Sequence, residues 1–310
     1  MNLSKAIGEL RPKAKAPNSA RVLNTWIAQA ERQLESDGGR LGWLVASTVV
    51  AAALQQAVDG QGRTLFLIKG GTLLQHKLPQ LSRATTDLDG LVRGDIDEFI
   101  EVLDEVLALP WGPLRLRREQ IEVIDVPYRL VKPRRFDVVV QLNGQTWRRI
   151  QVEISPDEGD AGSVFEEVSS PSLAGFGLPT PDRLVGLSMR YQIAQKVHAS
   201  TDPHDPPMSI NDRARDVVDL ILLRDLAEDT GQPQLSQVLV AIEDIFEVRA
   251  NEARATGGSP RSWPARLTAY PHWEVAFAHA AESAGFAMSL ADSVEQVNAW
   301  LERIESEARR

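Results

Sequence analysis

The stretch from Leu65 to Arg93, LFLIKGGTLLQHKLPQLSRATTDLDGLVR, decides how this chain is read. Leu65-Phe66-Leu67-Ile68 is a short apolar run closed by glycines, which reads as a buried strand. Gly70, Gly71 and Thr72 follow, and Leu73 to Leu78 has the look of a helix start. Glycines at such a turn let backbone N–H groups approach a ligand, and a helix N-terminus favours negative charge, so phosphate is the natural occupant. Asp87 and Asp89 then stand two apart beside Leu88 and Leu91. On a strand that spacing aims both carboxylates at one face and Leu88 at the other. Two parallel carboxylates repel unless a cation lies between them, and hard oxygen ligands suit Mg²⁺. A phosphate cradle followed by a Mg²⁺ clamp implies a nucleoside triphosphate (NTP).

Each half of this pattern is common alone: an isolated Asp-x-Asp usually ends a solvated strand, and an isolated Gly-Gly-Thr is usually a turn. Joined in one segment they are far more specific. The arrangement resembles the polymerase-β-like nucleotidyltransferases, in which a Gly-Ser or Gly-Thr turn precedes a metal-binding Asp-x-Asp. The fuller form, Lys69-Gly70-Gly71-Thr72 followed by Arg83-Ala84-Thr85-Thr86-Asp87-Leu88-Asp89, resembles the AbiEii/MenT branch, the toxin nucleotidyltransferases. A second piece points the same way: Lys196-Val197-His198-Ala199, then Arg213-Ala214-Arg215-Asp216-Val217-Val218-Asp219-Leu220, resembles that family's helical motifs. The resemblance spans about residues 64 to 222.

What it implies is an α+β fold: a nucleotidyltransferase-type mixed sheet with packed helices, followed by a C-terminal helical domain. The activity implied is Mg²⁺-dependent transfer of a nucleoside monophosphate from NTP to an acceptor, with pyrophosphate released and Mn²⁺ as the alternative ion. Toxin members of the family work beside a cognate antitoxin protein, and some extend the 3′ end of tRNA. Transfer onto a protein target, or a non-catalytic binding module on the same fold, are the rival readings.

Composition fits an ordinary soluble globular protein: 310 residues, 43% apolar and 25% charged, with no cysteine. A disulfide framework, a thiolate zinc site and a thiol nucleophile are therefore excluded, in keeping with a cytoplasmic protein. The apolar run Leu44 to Leu54 is too short to cross a bilayer, and the N-terminus lacks an apolar signal core. No P-loop, no Gly-x-Ser-x-Gly elbow and no His-Glu-x-x-His occurs. Net charge is −9, yet residues 111–150 carry nine Lys/Arg against four acids, a local +5 that leaves −14 elsewhere. Such segregation suits either a basic stripe meeting phosphates or a set of solvent-facing strand residues.

Helical periodicity predicts helices over residues 18–34 and 41–58, packed over a sheet that begins at Thr64, and another after the Asp95 cap. Alternation predicts strands at 114–118, 120–130, 135–142 and 147–154, the last two joined by the Asn143-Gly144 hairpin signal. Residues 155–180 are rich in Ser, Pro and Gly and read as an irregular connection with room for one short strand. Helices are expected from Pro181 to about His198 and then through the C-terminal half. The expected division is a nucleotidyltransferase domain at 1–170 and a helical domain at 171–310 that contributes to the active-site cleft.

Phosphoryl transfer through two metal ions needs a third carboxylate beside Asp87 and Asp89. Asp137 and Glu153 are the candidates; Asp137 also suits a simple pairing with a nearby arginine. The resemblance favours Glu153, although Gln151 stands where the family commonly has lysine. By the same resemblance, Gly70, Gly71 and Thr72 cradle phosphates, Thr72 through its hydroxyl as well as its backbone N–H, and Lys196 stabilises the leaving pyrophosphate. Lys69 suits either a phosphate contact or a strand-end charge, and Arg83 either a phosphate clamp or a cap on the loop before the Asp-x-Asp strand. Asp216 and Asp219, three apart on one helical face, are placed to orient Lys196, and an ordinary buried ion pair is the plainer account. Thr85, two residues before Asp87, is close enough that covalent modification would add charge beside the metals. His76, His198 and His204 share no metal-ligand spacing.

Overall fold

The computed structural model describes residues 6–36, 39–78 and 85–309. Arg83 lies outside them. Two helices come first, α1 (Ala20–Gln33) and α2 (Arg40–Leu54). Ser19 caps α1, its side-chain oxygen accepting from the Val22 N–H at 3.3 Å. Helix α2 is buried on nearly every side, as its sequence of Leu, Val and Ala requires.

The sheet follows: β1 (Phe66–Ile68), β2 (Asp87–Val92), β3 (Leu114–Arg118), β4 (Glu122–Val123), β5 (Arg134–Leu142), β6 (Gln145–Pro156), β7 (Phe165–Val168) and β8 (Leu184–Leu187). Its strand order is β3-β5-β6-β2-β1-β8-β7, with β4 paired to β5. The pairs β2–β6 and β1–β8 are parallel and the rest antiparallel, so the sheet is mixed. Helix α3 (Gly70–Lys77) connects β1 to β2, and α4 (Ile96–Ala108) follows β2 behind an Asp95 cap. One sheet face is mainly apolar, with Leu88, Val138, Val140, Ile150, Val152 and Ile154 at 1% exposure or less. Helices α1 and α2 pack on β6 and α4 on β3.

The expected Asn143-Gly144 turn joins β5 to β6 with φ of 49° and 77°, the positive pair that a two-residue hairpin demands. Two expectations differ. The strand predicted over 120–130 shrinks to the two residues of β4. Beyond them, Asp125-Val126-Pro127-Tyr128 leaves the sheet, Tyr128 taking a φ of 60°. The helix predicted from Pro181 starts only at Met189, because Leu184-Val185-Gly186-Leu187 is a fully buried strand beside β1. Four buried apolar residues are equally compatible with either element, and the free edge of β1 decides. The sheet therefore reaches Leu187, and helices take over at Ser188 rather than near residue 170.

The helical half comprises α5 (Met189–Ser200), α6 (Ala214–Thr230), α7 (Leu235–Thr256), α8 (Glu274–Ala284) and α9 (Leu290–Ser306). Helix α5 is sandwiched between α6 and α7, and Trp273 and Trp300, each 1% exposed, fill the helical interior. Sheet and helices share one continuous apolar core. Among the described residues no helix is long and apolar enough to cross a membrane.

Candidate active site

Register assembles the acidic face. On β2, Asp87 and Asp89 point away from the core while Leu88 is fully buried. The parallel pairing of β2 with β6 sets Asp87 opposite Gln151 and Asp89 opposite Glu153. Pairing of β5 with β6 adds Asp137 beside Gln151 and Arg135 beside Glu153. Glu153 is thus the strand neighbour of Asp89, whereas Asp137 lies one strand further out, 3.4 Å from the Arg149 guanidinium. Arg135 donates to Glu153 from Nε at 2.8 Å, and Gln151 Nε2 donates to Asp87 Oδ1 at 3.2 Å.

The glycine turn closes on the same spot. The Lys69 N–H donates to the Asp89 carbonyl at 2.9 Å, which brings the start of α3 against β2. Gly70 has φ +64°, and a methyl group there would overlap the Asp89 carboxylate. Within α3 the Leu73 N–H is the first to bond back, to Lys69 O at 3.3 Å, so the amides of Gly70, Gly71 and Thr72 have no acceptor inside the helix. Thr72 differs from the expectation of a phosphate-binding hydroxyl. Its side chain is fully buried and donates to the Asp87 carbonyl at 3.0 Å, so it pins strand to helix and offers a ligand its amide only. Thr85 Oγ1 donates to the same carbonyl at 3.3 Å.

Three groups of charge set the electrostatics. Burial pushes the Asp89 carboxyl up to about 6; Lys69 and Lys196 oppose this, and Glu153 and Asp87 add to it. Burial lowers Lys69, against Glu158 and Asp89, and its ammonium donates to Ser155 Oγ at 2.6 Å. Lys196, 8% exposed, donates to Asp216 Oδ1 at 2.7 Å and to Asp219 Oδ2 at 2.6 Å. One helical turn earlier, Gln192 Nε2 donates to the Gly70 carbonyl at 3.2 Å. Helix α5 therefore touches the glycine turn directly and carries Lys196 toward Asp89.

A divalent ion suits this donor set. Asp87, Asp89 and Glu153 share one face on adjacent strands, all hard oxygens, and the mutual repulsion that helps raise Asp89 is what a cation relieves. Among the described residues no three acids or histidines stand preassembled at metal-binding distance; Glu153 is turned to Arg135 instead.

A second ionic cluster had no signal in the sequence. Glu158, 4% exposed, pairs with Arg129 and with Arg249 at 3.0 Å and accepts from Gln195 at 2.9 Å. Its members come from four separate segments with no motif spacing, and only the fold brings them beside Lys69. His198 packs in that cluster against Arg249 and Arg261 and is held neutral by burial and those cations. A cavity of about 420 Å³ lined by Lys77, Glu166, Ser188 and Arg190 lies at the far end of α3, away from the carboxylates.

The profile of the AbiEii family, described as "Nucleotidyl transferase AbiEii toxin, Type IV TA system", matches residues 52–301. The chain belongs to the AbiEii nucleotidyltransferase toxin family. It is therefore a nucleotidyltransferase of the toxin–antitoxin type, and the match takes in the helical half as well as the sheet. Among solved structures it is similar to MenT4, the nucleotidyltransferase toxin Rv2826c from Mycobacterium tuberculosis H37Rv. The two are 16% identical over 92% of this chain and 97% of that one, with a TM-score of 0.45. No curated protein matches the chain. As an AbiEii family member it is expected to use an NTP and a divalent metal and to be paired with an antitoxin.

Proposed function

We propose that this protein transfers a nucleoside monophosphate from an NTP to the 3′ end of tRNA, releasing pyrophosphate, in a Mg²⁺-dependent reaction. The observation that carries the reading is the meeting of the Gly70 turn with Asp89, whose strand neighbour is Glu153. The amides of Gly70, Gly71 and Thr72 bind the terminal phosphates. Lys69 and Lys196 both bring positive charge to bear on Asp89, and Asp216 and Asp219 fix the Lys196 ammonium. Asp87, Asp89 and Glu153 would hold the metal, Glu153 swinging from Arg135 to do so. A divalent ion held there would neutralise the charge that develops on the α-phosphate and the leaving group.

The acceptor oxygen attacks the α-phosphorus, a new P–O bond forms as the α–β bridge bond breaks, and pyrophosphate leaves. Glu153, on the strand beyond β2 from the glycine turn, takes the hydroxyl proton. Lys196 stabilises pyrophosphate as it departs. Incubation of the protein with each α-³²P-labelled NTP, Mg²⁺ and total tRNA should label the tRNA band, and Asp87→Ala should abolish the label by about 100-fold or more. Label on a protein band from lysate would favour a protein acceptor. Growth inhibition that survives Asp87→Ala would place the function outside this chemistry.

A further inference from the structure

We infer that the acceptor reaches the site over the open face of β6, β5 and β3, with Arg149, Arg117 and Arg115 contacting the phosphates of an RNA 3′ strand. The inference rests on the nucleotidyltransfer reading above, and its first support is direction. In-line displacement puts the attacking and leaving oxygens on opposite sides of the phosphorus. The phosphate cradle belongs to β1 and α3, and β2 carries the acidic pair. In the strand order β3-β5-β6-β2-β1 the side opposite the cradle is β6, β5 and β3. Helices α1, α2 and α4 pack on the other face of those strands.

The second support is register. From Glu153, two steps back along β6 through Gln151 lead to Arg149, and each step of two keeps the same face. Arg149 is opposite Val139 on β5, and Val139 is opposite Arg117 on β3; Gln141 is opposite Arg115. The alternation of β3 settles its orientation: Leu114 and Leu116 enter the core, and Arg115 and Arg117 project with the carboxylate face. The Arg149 and Arg117 side chains are 47% and 54% exposed. The walk from Glu153 to Arg149 covers roughly 13 Å, about four nucleotides at stacked spacing.

The third support is how the basic segment divides. Arg118 pairs with Asp104 and Arg134 with Asp97 on the helix side, Lys132 pairs with Asp125, and Arg129 is committed to Glu158 in the buried cluster. Arg148 turns to the helix side, against Gly42. Arg115, Arg117, Arg135 and Arg149 remain on the acidic face, with Glu119 and Asp137 as countercharges beside Glu153. Glu119 pairs with Arg149 and lies 3.7 Å from Arg117, so it holds both guanidiniums in place. Each guanidinium has five N–H donors, which leaves several for phosphate oxygens.

The test uses full-length protein, a fluorescein-labelled 12-nucleotide single-stranded RNA, and separate measurement of NTP affinity. Arg115→Glu with Arg117→Glu should weaken RNA binding at least 10-fold and flatten its dependence on salt by about one to two phosphate contacts, roughly 0.7 in log–log slope for each. NTP affinity should stay unchanged. Glu119→Gln supplies a gain that misfolding cannot mimic: RNA binding should tighten about threefold. Equal RNA binding and equal 3′ labelling by wild type and the double variant would overturn the surface while leaving nucleotidyltransfer intact. Wild-type protein that labels only protein, and binds RNA no better than the double variant, would overturn both the surface and the tRNA reading.

Discussion

Asp89 shows how one residue carries opposing demands. Burial and its acidic neighbours favour the protonated form, with the carboxyl at about 6, whereas metal binding needs it ionised. A carboxyl raised in the fold stabilises fully below the ordinary carboxylate range, and that contribution is lost as pH rises through about 6. Metal-free wild type should therefore lose melting temperature relative to Asp89→Asn between pH 4 and 7. Saturating Mg²⁺ should reverse the difference above pH 6, as scanning fluorimetry across pH would show. Lys196 has the mirror arrangement, a buried cation between two carboxylates. Lys196→Met removes the cation that Asp216 and Asp219 share, a loss of about 3–5 kcal/mol. Combining it with Asp219→Asn should recover much of the denaturation midpoint and none of the transferase activity. That split would separate the structural part of the triad from its part in turnover.

At the scale of elements, the turn between β1 and α3 joins sequence to site. Gly70 must adopt φ +64° and must lack a side chain where Asp89 approaches. Gly70→Ala adds about 1 kcal/mol of left-handed backbone cost and displaces the Asp89 carboxylate. The expected result is a KM for NTP raised about 10-fold or more, with overall stability lowered by only ~1–2 kcal/mol, checked by steady-state kinetics beside urea denaturation. This element was legible in the sequence because strand, glycines and Asp-x-Asp are contiguous, and Asn143-Gly144 made the β5–β6 hairpin equally plain. From the residues alone Glu153 was one of two candidates and only the resemblance favoured it; the β2–β6 register, which sets it beside Asp89, is not written in the local sequence. Strand β8 was hidden: Pro181-Asp182 looks like a helix start, and only the free edge of β1 makes Leu184–Leu187 a strand. The Thr72 hydroxyl was misjudged for a related reason, because its acceptor is a backbone carbonyl 15 residues away.

Across the whole molecule, the sheet and the helical half meet at the Glu158 cluster, and this was illegible beforehand because its members are scattered. Arg129 comes from the loop after β4, Glu158 from the segment just past β6, Gln195 from α5 and Arg249 from α7. The cluster sits beside Lys69, so its integrity bears on the donor site as well as on cohesion. Burial alone would raise the Glu158 carboxyl, but Arg249 and Arg129 outweigh it and hold the group well below the usual carboxylate range. A depressed carboxyl contributes stability above its ordinary range and loses it as pH falls toward the depressed value. Glu158→Gln should therefore cost about 3–5 kcal/mol at pH 7, where two arginines lose their shared countercharge. The gap between wild type and variant should narrow steadily below pH 4, because the unfolded wild-type chain then takes up a proton that the folded carboxylate does not. Urea denaturation at pH 7, 5 and 3 checks both ends. A gap that stayed constant with pH would mean that Glu158 acts through packing, and that the two halves are joined by the shared apolar core alone.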